Sequence, residues 1–283
     1  VTRAFEECEG WVVVACVNHW DKAIETHSRN FPYCLHMLED FRTADLAVLK
    51  YIIDEVRRFN PCVRVHLHFS LECTNFSNAK GGLPRDNDSR TLADFTDRYV
   101  IALNPDVIWV ENVREFTLWG PMIPKVISLS KDKNKKVKKQ QIFVPFGMDE
   151  SEYYDTLIMN GHVLTCPLVV KKRKTKKNKL TKRIEVIQEA ELQQWPIPNP
   201  YYKGQDFHRW TNYMCSFGYK CSYRLFNCAD YGVPQHRIRL IMNFVRDGLQ
   251  TNWPKATHSK TGKDGLPFWI PVKTCLDLDD EGT

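Results

Sequence analysis

The 283-residue chain has no run of eighteen apolar residues, which excludes a helical membrane span. No positively charged leader followed by an apolar stretch opens it, so secretion is not expected. The expected setting is the cytoplasm of a bacterium or a phage-infected host cell. No internal repeat is visible. Ten cysteines are present without one Cys-x-x-Cys pair, and Cys215, Cys221 and Cys228 lack metal-ligand spacing. Reduced thiols and no metal are therefore expected.

What is present is an uneven charge distribution. The net charge is +6, yet residues 131–140 hold six lysines and one acid, and residues 171–183 hold nine basic residues and no acid. Those segments carry +14, which leaves the rest of the chain at −8. Confined basicity of this kind suits contacts to phosphates, which supply affinity without sequence information. The plainer reading is a pair of solvated lysine-rich insertions. Lys135, Lys136, Lys171, Lys172 and Arg173 are the candidate phosphate contacts.

The 43% apolar fraction is enough for a sizeable core, and the length suits one large domain or a domain and a half. Strand-like runs at 11–17, 33–38, 63–69, 106–110, 222–226 and 237–244 alternate with helical patterns at 21–31, 43–59, 88–103 and 206–217. Asn18 or Asp21 is available to cap the first of these helices. The pattern at 43–59 puts Leu46, Leu49, Ile52, Ile53 and Val56 on one face. This rhythm predicts an α/β fold with a mostly parallel sheet and helices on both faces.

Three segments at strand ends carry chemistry. Residues 68–82 place Cys73 in a polar, glycine-bounded loop directly after a strand. Glu111-Asn112-Val113 closes a second strand. Gln235-His236-Arg237-Ile238-Arg239 opens a third. Loops at the carboxyl ends of strands are where open α/β sheets bind ligands. Alone, each segment has a bland reading: a small buried thiol, ordinary turn chemistry, a solvated strand edge. In this order they resemble the DNA cytosine-5 methyltransferases, whose motifs read Pro-Cys, Glu-Asn-Val and Gln-x-Arg-x-Arg. Glu72 stands where that family usually has proline, and Thr74-Asn75 where Gln-Gly is common. A carboxylate beside the thiol disfavours the thiolate.

The resemblance implies a reaction. Cytosine carbon 5 is a poor nucleophile, and adding a thiolate to carbon 6 makes it enamine-like. An acid near ring nitrogen 3 shares the proton that the displaced electrons call for, a role suited to a glutamate with a raised pKa. By resemblance Cys73 is the nucleophile, Glu111 the acid, and Arg237 and Arg239 grip the base and its surroundings with forked donors. Asn112 and Gln235 are expected at the nucleic acid.

The same resemblance implies a Rossmann-like, S-adenosylmethionine-dependent sheet. Asn18 stands where a glutamate usually meets the ribose hydroxyls, and Asp40 where an acid meets the adenine amino group. A helix cap and a strand-end turn are the bland readings. The family's Phe-x-Gly-x-Gly loop and its C-terminal return segment are not visible, so a fragment incomplete at both ends is expected. Residues 1–246 are then the catalytic domain, with lysine-rich insertions at 131–140 and 171–183. Residues 247–283 begin a target-recognition region. The implied partner is double-stranded DNA and the expected state a monomer. An RNA (transfer-RNA) cytosine-5 methyltransferase and a non-catalytic nucleic-acid-binding relic are the alternatives.

Overall fold

The computed structural model describes residues 1–71, 92–123, 126–130, 138–142, 147–160, 162–165, 169–177, 184–193 and 197–276. Cys73, Lys135 and Lys136 lie outside them. The chain divides into two compact units. One comprises Val1–Glu72, Asp88–Arg114 and Trp210–Thr283, and the other is built around Glu115–Arg209.

The first unit opens with α1 (Thr2–Glu6), β1 (Ala15–Asn18), α2 (Asp21–Asn30), β2 (Leu35–Leu38), α3 (Ala47–Phe59), β3 (His66–Ser70), α4 (Thr96–Leu103) and β4 (Val107–Asn112). β1 and β2 pair in parallel, Asn18 opposite Leu38, with α2 as the crossover. β3 and β4 also pair in parallel, with Ser70 opposite Glu111. A parallel pair needs a long connection, and both have one that carries a helix.

The second unit contains β5 (Met122–Ile123), β6 (Val126–Ser130), β7 (Lys138–Ile142), α5 (Glu150–Met159), β8 (His162–Thr165), β9 (Val169–Lys177), β10 (Ile184–Gln193) and β11 (Ile197–Pro198). All its pairings are antiparallel: β7-β6-β8, β9-β10 and β5-β11.

The chain continues through α6 (Gln205–Ser216), β12 (Tyr219–Asn227) and β13 (Ile238–Arg246). β13 pairs antiparallel with both β12 and β4, giving the sheet order β12-β13-β4-β3. The fold is α/β as expected, but its main sheet is mixed rather than mostly parallel. The reason is local: only residues 228–237 separate β12 from β13, too few for a parallel crossover.

The two central strands explain the core. Ile108 and Val110 of β4 and Leu240, Met242 and Phe244 of β13 are 0–1% exposed. Asn243 is buried on the opposite face of β13, so that strand is covered on both sides. From α6, Trp210 meets Phe244 edge-on at 5.6 Å, and its indole N–H donates to Thr96 of α4 at 3.0 Å. Burying an indole without such a partner would leave a costly unpaired donor.

Several boundaries moved. β1 starts at Ala15, and Trp11 instead packs edge-on against His66 at 4.5 Å. A 3-10 turn, Leu92–Phe95, precedes α4, and positions 88 and 89 lie outside the described residues. Neither expected cap seats α2, whose N-cap position is Trp20 without a side-chain bond. On α3 the expected face holds at Leu46 and Leu49, which are buried, whereas Val56 is exposed.

Candidate active site

The parallel β3–β4 pairing carries the first functional side chains to one sheet end. Ser70 and Glu111 are register partners, and the Ser70 hydroxyl donates to Glu111 Oε2 at 2.7 Å. From the other flank of β4, Arg239 Nε contacts Glu111 Oε1 at 2.8 Å. Glu111 thus has a donor on each oxygen. Its side chain is 28% exposed and that of Arg239 is 21% exposed, so the pair is partly open to solvent.

Beside it lies a cleft of about 320 Å³ lined by Phe5, His68, Trp109, Glu111 and Ile241 among others. Burial lowers the His68 pKa from its ordinary value, with the Glu111 charge opposing the shift. A neutral imidazole and a glutamate therefore share one mostly apolar recess. Cys73, three residues past the end of β3, lies outside the described residues.

The other predicted positions separate into groups. Arg237 and Gln235 are exposed just ahead of β13. The connection holding them is pinned by Asn227, whose Oδ1 accepts the Arg237 backbone N–H at 3.1 Å. Asn112 is 1% exposed, its Oδ1 accepts the Val113 N–H at 2.8 Å, and its buried Nδ2 has no partner among the described residues. Its register partner, Leu240, lies in the core strand β13, which is why an amide expected at nucleic acid faces inward.

Asn18 is the last residue of β1, and Asp40 follows the carboxyl end of β2. Asn18 Oδ1 accepts the Trp20 N–H at 2.8 Å, leaving its NH₂ to donate elsewhere. Asp40 is gripped by Arg42, whose Nε and Nη2 contact its two oxygens at 2.7–3.2 Å while the Arg42 backbone N–H adds another bond at 2.8 Å. Those bonds hold the Asp40 pKa down at about 2. Its loop is anchored in turn: Phe41 stacks on Tyr99 at 4.5 Å and Arg98 donates to the carbonyls of Phe41, Arg42 and Ala44.

In the second unit, Lys171, Lys172 and Arg173 lie on β9, and their partners are on β10. Lys171 is opposite Glu191, Arg173 opposite Glu189, and Lys172 opposite Ala190. The basic strand is therefore matched by an acidic one at two of the three candidate positions.

Sequence reasoning missed Ser70 and His68. Their signal was the polar alternation His66, His68, Ser70 in the strand that leads to Cys73.

Residues 200–268 match the family described as C-5 cytosine-specific DNA methylases. That span holds Gln235, Arg237 and Arg239, but neither Cys73 nor Glu111. The type II methyltransferase M.BsuRI of Bacillus subtilis is 36% identical over 77 residues, which is 26% of this chain and 16% of that protein. Among solved structures, a DNA modification methyltransferase encoded within a prophage (E. coli) aligns with TM-score 0.46 at 17% identity. That alignment covers 95% of this chain and 49% of the other. Spodoptera frugiperda DNMT2 aligns with TM-score 0.41 at 13% identity, covering 95% and 51%. The chain spans about half the length of these structures. With both scores below 0.5, the fold assignment rests on the strand pairing described above.

Proposed function

We propose that the chain, whose residues 200–268 match the C-5 cytosine-specific DNA methylases, transfers a methyl group to carbon 5 of cytosine in DNA through a covalent bond to Cys73. The observation that carries this reading is the Ser70–Glu111–Arg239 arrangement at the carboxyl ends of β3 and β4. Two motifs distant in sequence meet there, beside the strand that leads to the third.

S-adenosylmethionine, the methyl donor of this family, supplies an electrophilic methyl group when bound. The residues at the ends of β1 and β2 fit it. Asn18 has a free NH₂ to give a ribose oxygen, and Asp40, kept ionised by Arg42, can accept from an adenine amino group.

The chain's own residues supply the rest. The Cys73 thiolate forms a bond to carbon 6, and the displaced electron pair moves into the ring toward nitrogen 3 and carbon 5. Glu111 holds the proton at nitrogen 3, for which it must exchange one of its present donors, Ser70 or Arg239, for the base. Arg239 keeps the glutamate oriented, while Arg237 is free to meet the base or a neighbouring phosphate. After carbon 5 gains its methyl group it loses its proton, and the carbon–sulfur bond breaks to release the thiolate.

DNA containing 5-fluorocytosine blocks that last proton loss and traps the adduct. With S-adenosylmethionine and the full-length protein, a denaturation-resistant complex is expected, and none with Cys73→Ser. A complex that survives the substitution overturns the assignment of Cys73. Trapping on RNA but not DNA overturns the substrate.

A further inference from the structure

Three metal-ligand side chains converge at the start of β2. His27 projects from α2, and Cys34 and His36 flank the entry to the strand. One ligand atom from each lies within 4.8 Å of the other two. We propose that His27, Cys34 and His36 bind one zinc-class divalent cation, with solvent completing a four-coordinate site.

Tetrahedral zinc with bonds of about 2.0–2.1 Å to nitrogen and about 2.3 Å to sulfur sets ligand atoms roughly 3.3–3.6 Å apart. With the ligand atoms within 4.8 Å of one another, reaching that spacing takes movements of about an ångström. His27 Nδ1 and His36 Nε2 face each other at 2.8 Å, so they must part by about half an ångström to admit an ion. Cys34 is 6% exposed, and among the described residues its thiol makes one long hydrogen bond, 3.6 Å, to the Leu35 carbonyl. Cys16, the register partner of His36, lies outside the 4.8 Å set, which leaves the fourth position to water.

The independent observation is Thr2. Its hydroxyl lies 2.8 Å from His27 Nε2, the ring nitrogen turned away from the cluster. Histidines that ligate metals hand their second N–H to an oxygen in this way, which fixes the tautomer and raises ligand basicity. The proton balance is simple. In the bound state the proton shared between His27 Nδ1 and His36 Nε2 has left the pair, and His27 carries its N–H at Nε2, where the Thr2 hydroxyl accepts it. Cys34 releases its thiol proton to solvent, and the ion bonds to the thiolate and the two freed imidazole lone pairs. Burial pushes the Cys34 pKa up to about 11, so the ion must displace that proton.

The cluster sits at the opening end of β2, whereas Asn18 is the last residue of β1 and Asp40 follows the closing end of β2. The ion would therefore brace α2 against β2 and take no part in methyl transfer. The spacing His-x6-Cys-x-His matches no familiar motif, and only the packing of α2 on β2 brings the three together.

Cobalt tests this directly. The metal-stripped full chain, titrated with Co²⁺, should bind one equivalent and develop a thiolate-to-cobalt charge-transfer band together with tetrahedral d–d bands. Zinc should bleach them and raise the melting temperature. Cys34→Ser should lose the charge-transfer band, while Cys62→Ser, at an exposed position, should keep it. Thr2→Val leaves all three ligands in place and should weaken binding by about 10- to 100-fold, which guards against a Cys34→Ser variant that misfolds. No cobalt band at millimolar metal, or a band unchanged in Cys34→Ser, reduces the cluster to a hydrogen-bonded histidine pair beside a buried thiol.

Discussion

Glu111 is held by Ser70 on one oxygen and Arg239 on the other, and that geometry sets how its substitution should behave. Glu111→Gln keeps the shape and the Ser70 contact but removes the proton that ring nitrogen 3 requires. Methyl transfer should fall by roughly a hundredfold or more. Binding of S-adenosylmethionine, measured by calorimetry, should hardly change, because Asn18 and Asp40 sit on other strands. Unchanged turnover would make the glutamate a structural tie between β3 and β13. The identities of Glu111 and Arg239 were legible in the sequence through their motifs. Their contact was not, since it depends on the register of β4 against β13, which pairs residues well over a hundred positions apart. The burial of Asn112 was equally hidden, since it follows from β13 lying on its flank.

At the scale of the element, the β9–β10 hairpin refines what the lysine-rich segment can do. In register, Lys171 stands opposite Glu191 and Arg173 opposite Glu189, so at these positions the strand pair carries little net charge to offer a phosphate. Lys172 stands opposite the uncharged Ala190, so its position keeps its full charge. Lys172→Gln should therefore reduce the slope of log affinity for DNA against log salt by about one. Arg173→Gln should reduce it by less. Equal effects, or none, would assign the segment to solvation. The sequence displayed the basic run plainly. It hid the acidic partner strand, because nothing in composition says which later segment will pair. The parallel pairs and their helices were legible from alternating periodicities, whereas the antiparallel return of β12 and β13 was missed although the short connection between them implies it.

For the molecule as a whole, the half-buried histidines dictate how the first unit responds to acid. Burial lowers the pKa values of His66 and His68 from their usual 6.5. A group whose folded pKa is depressed binds fewer protons when folded than when unfolded, so stability rises with pH across the interval between the two values. Stability should then decline as pH drops below about 6.5, before any carboxylate titrates. Asp40 adds a second loss at lower pH. Its contribution is complete above the ordinary value of 3.8 and vanishes as pH falls toward about 2. Urea denaturation followed from pH 7.5 to 5 should show a falling midpoint, and His66→Gln or His68→Gln should flatten that fall. A midpoint that is constant over the range would contradict the burial of these rings.

The mixed sheet also has a consequence in time. β4 is complete at Asn112, but the strand that covers its free edge begins at Ile238. At translation rates of about 5–20 residues per second, the ribosome needs roughly 6–25 seconds to cover that interval. Throughout it, the edge of β4 away from β3 lacks its native partner strand, the condition under which nascent strands pair with the wrong chain. The intervening length itself costs the closed sheet little, since loop-closure entropy grows only by about 0.6 kcal/mol per doubling. Delay rather than stability is thus what the long excursion between β4 and β13 imposes, and it makes the yield of folded protein sensitive to synthesis speed and to chaperones that shield an open strand.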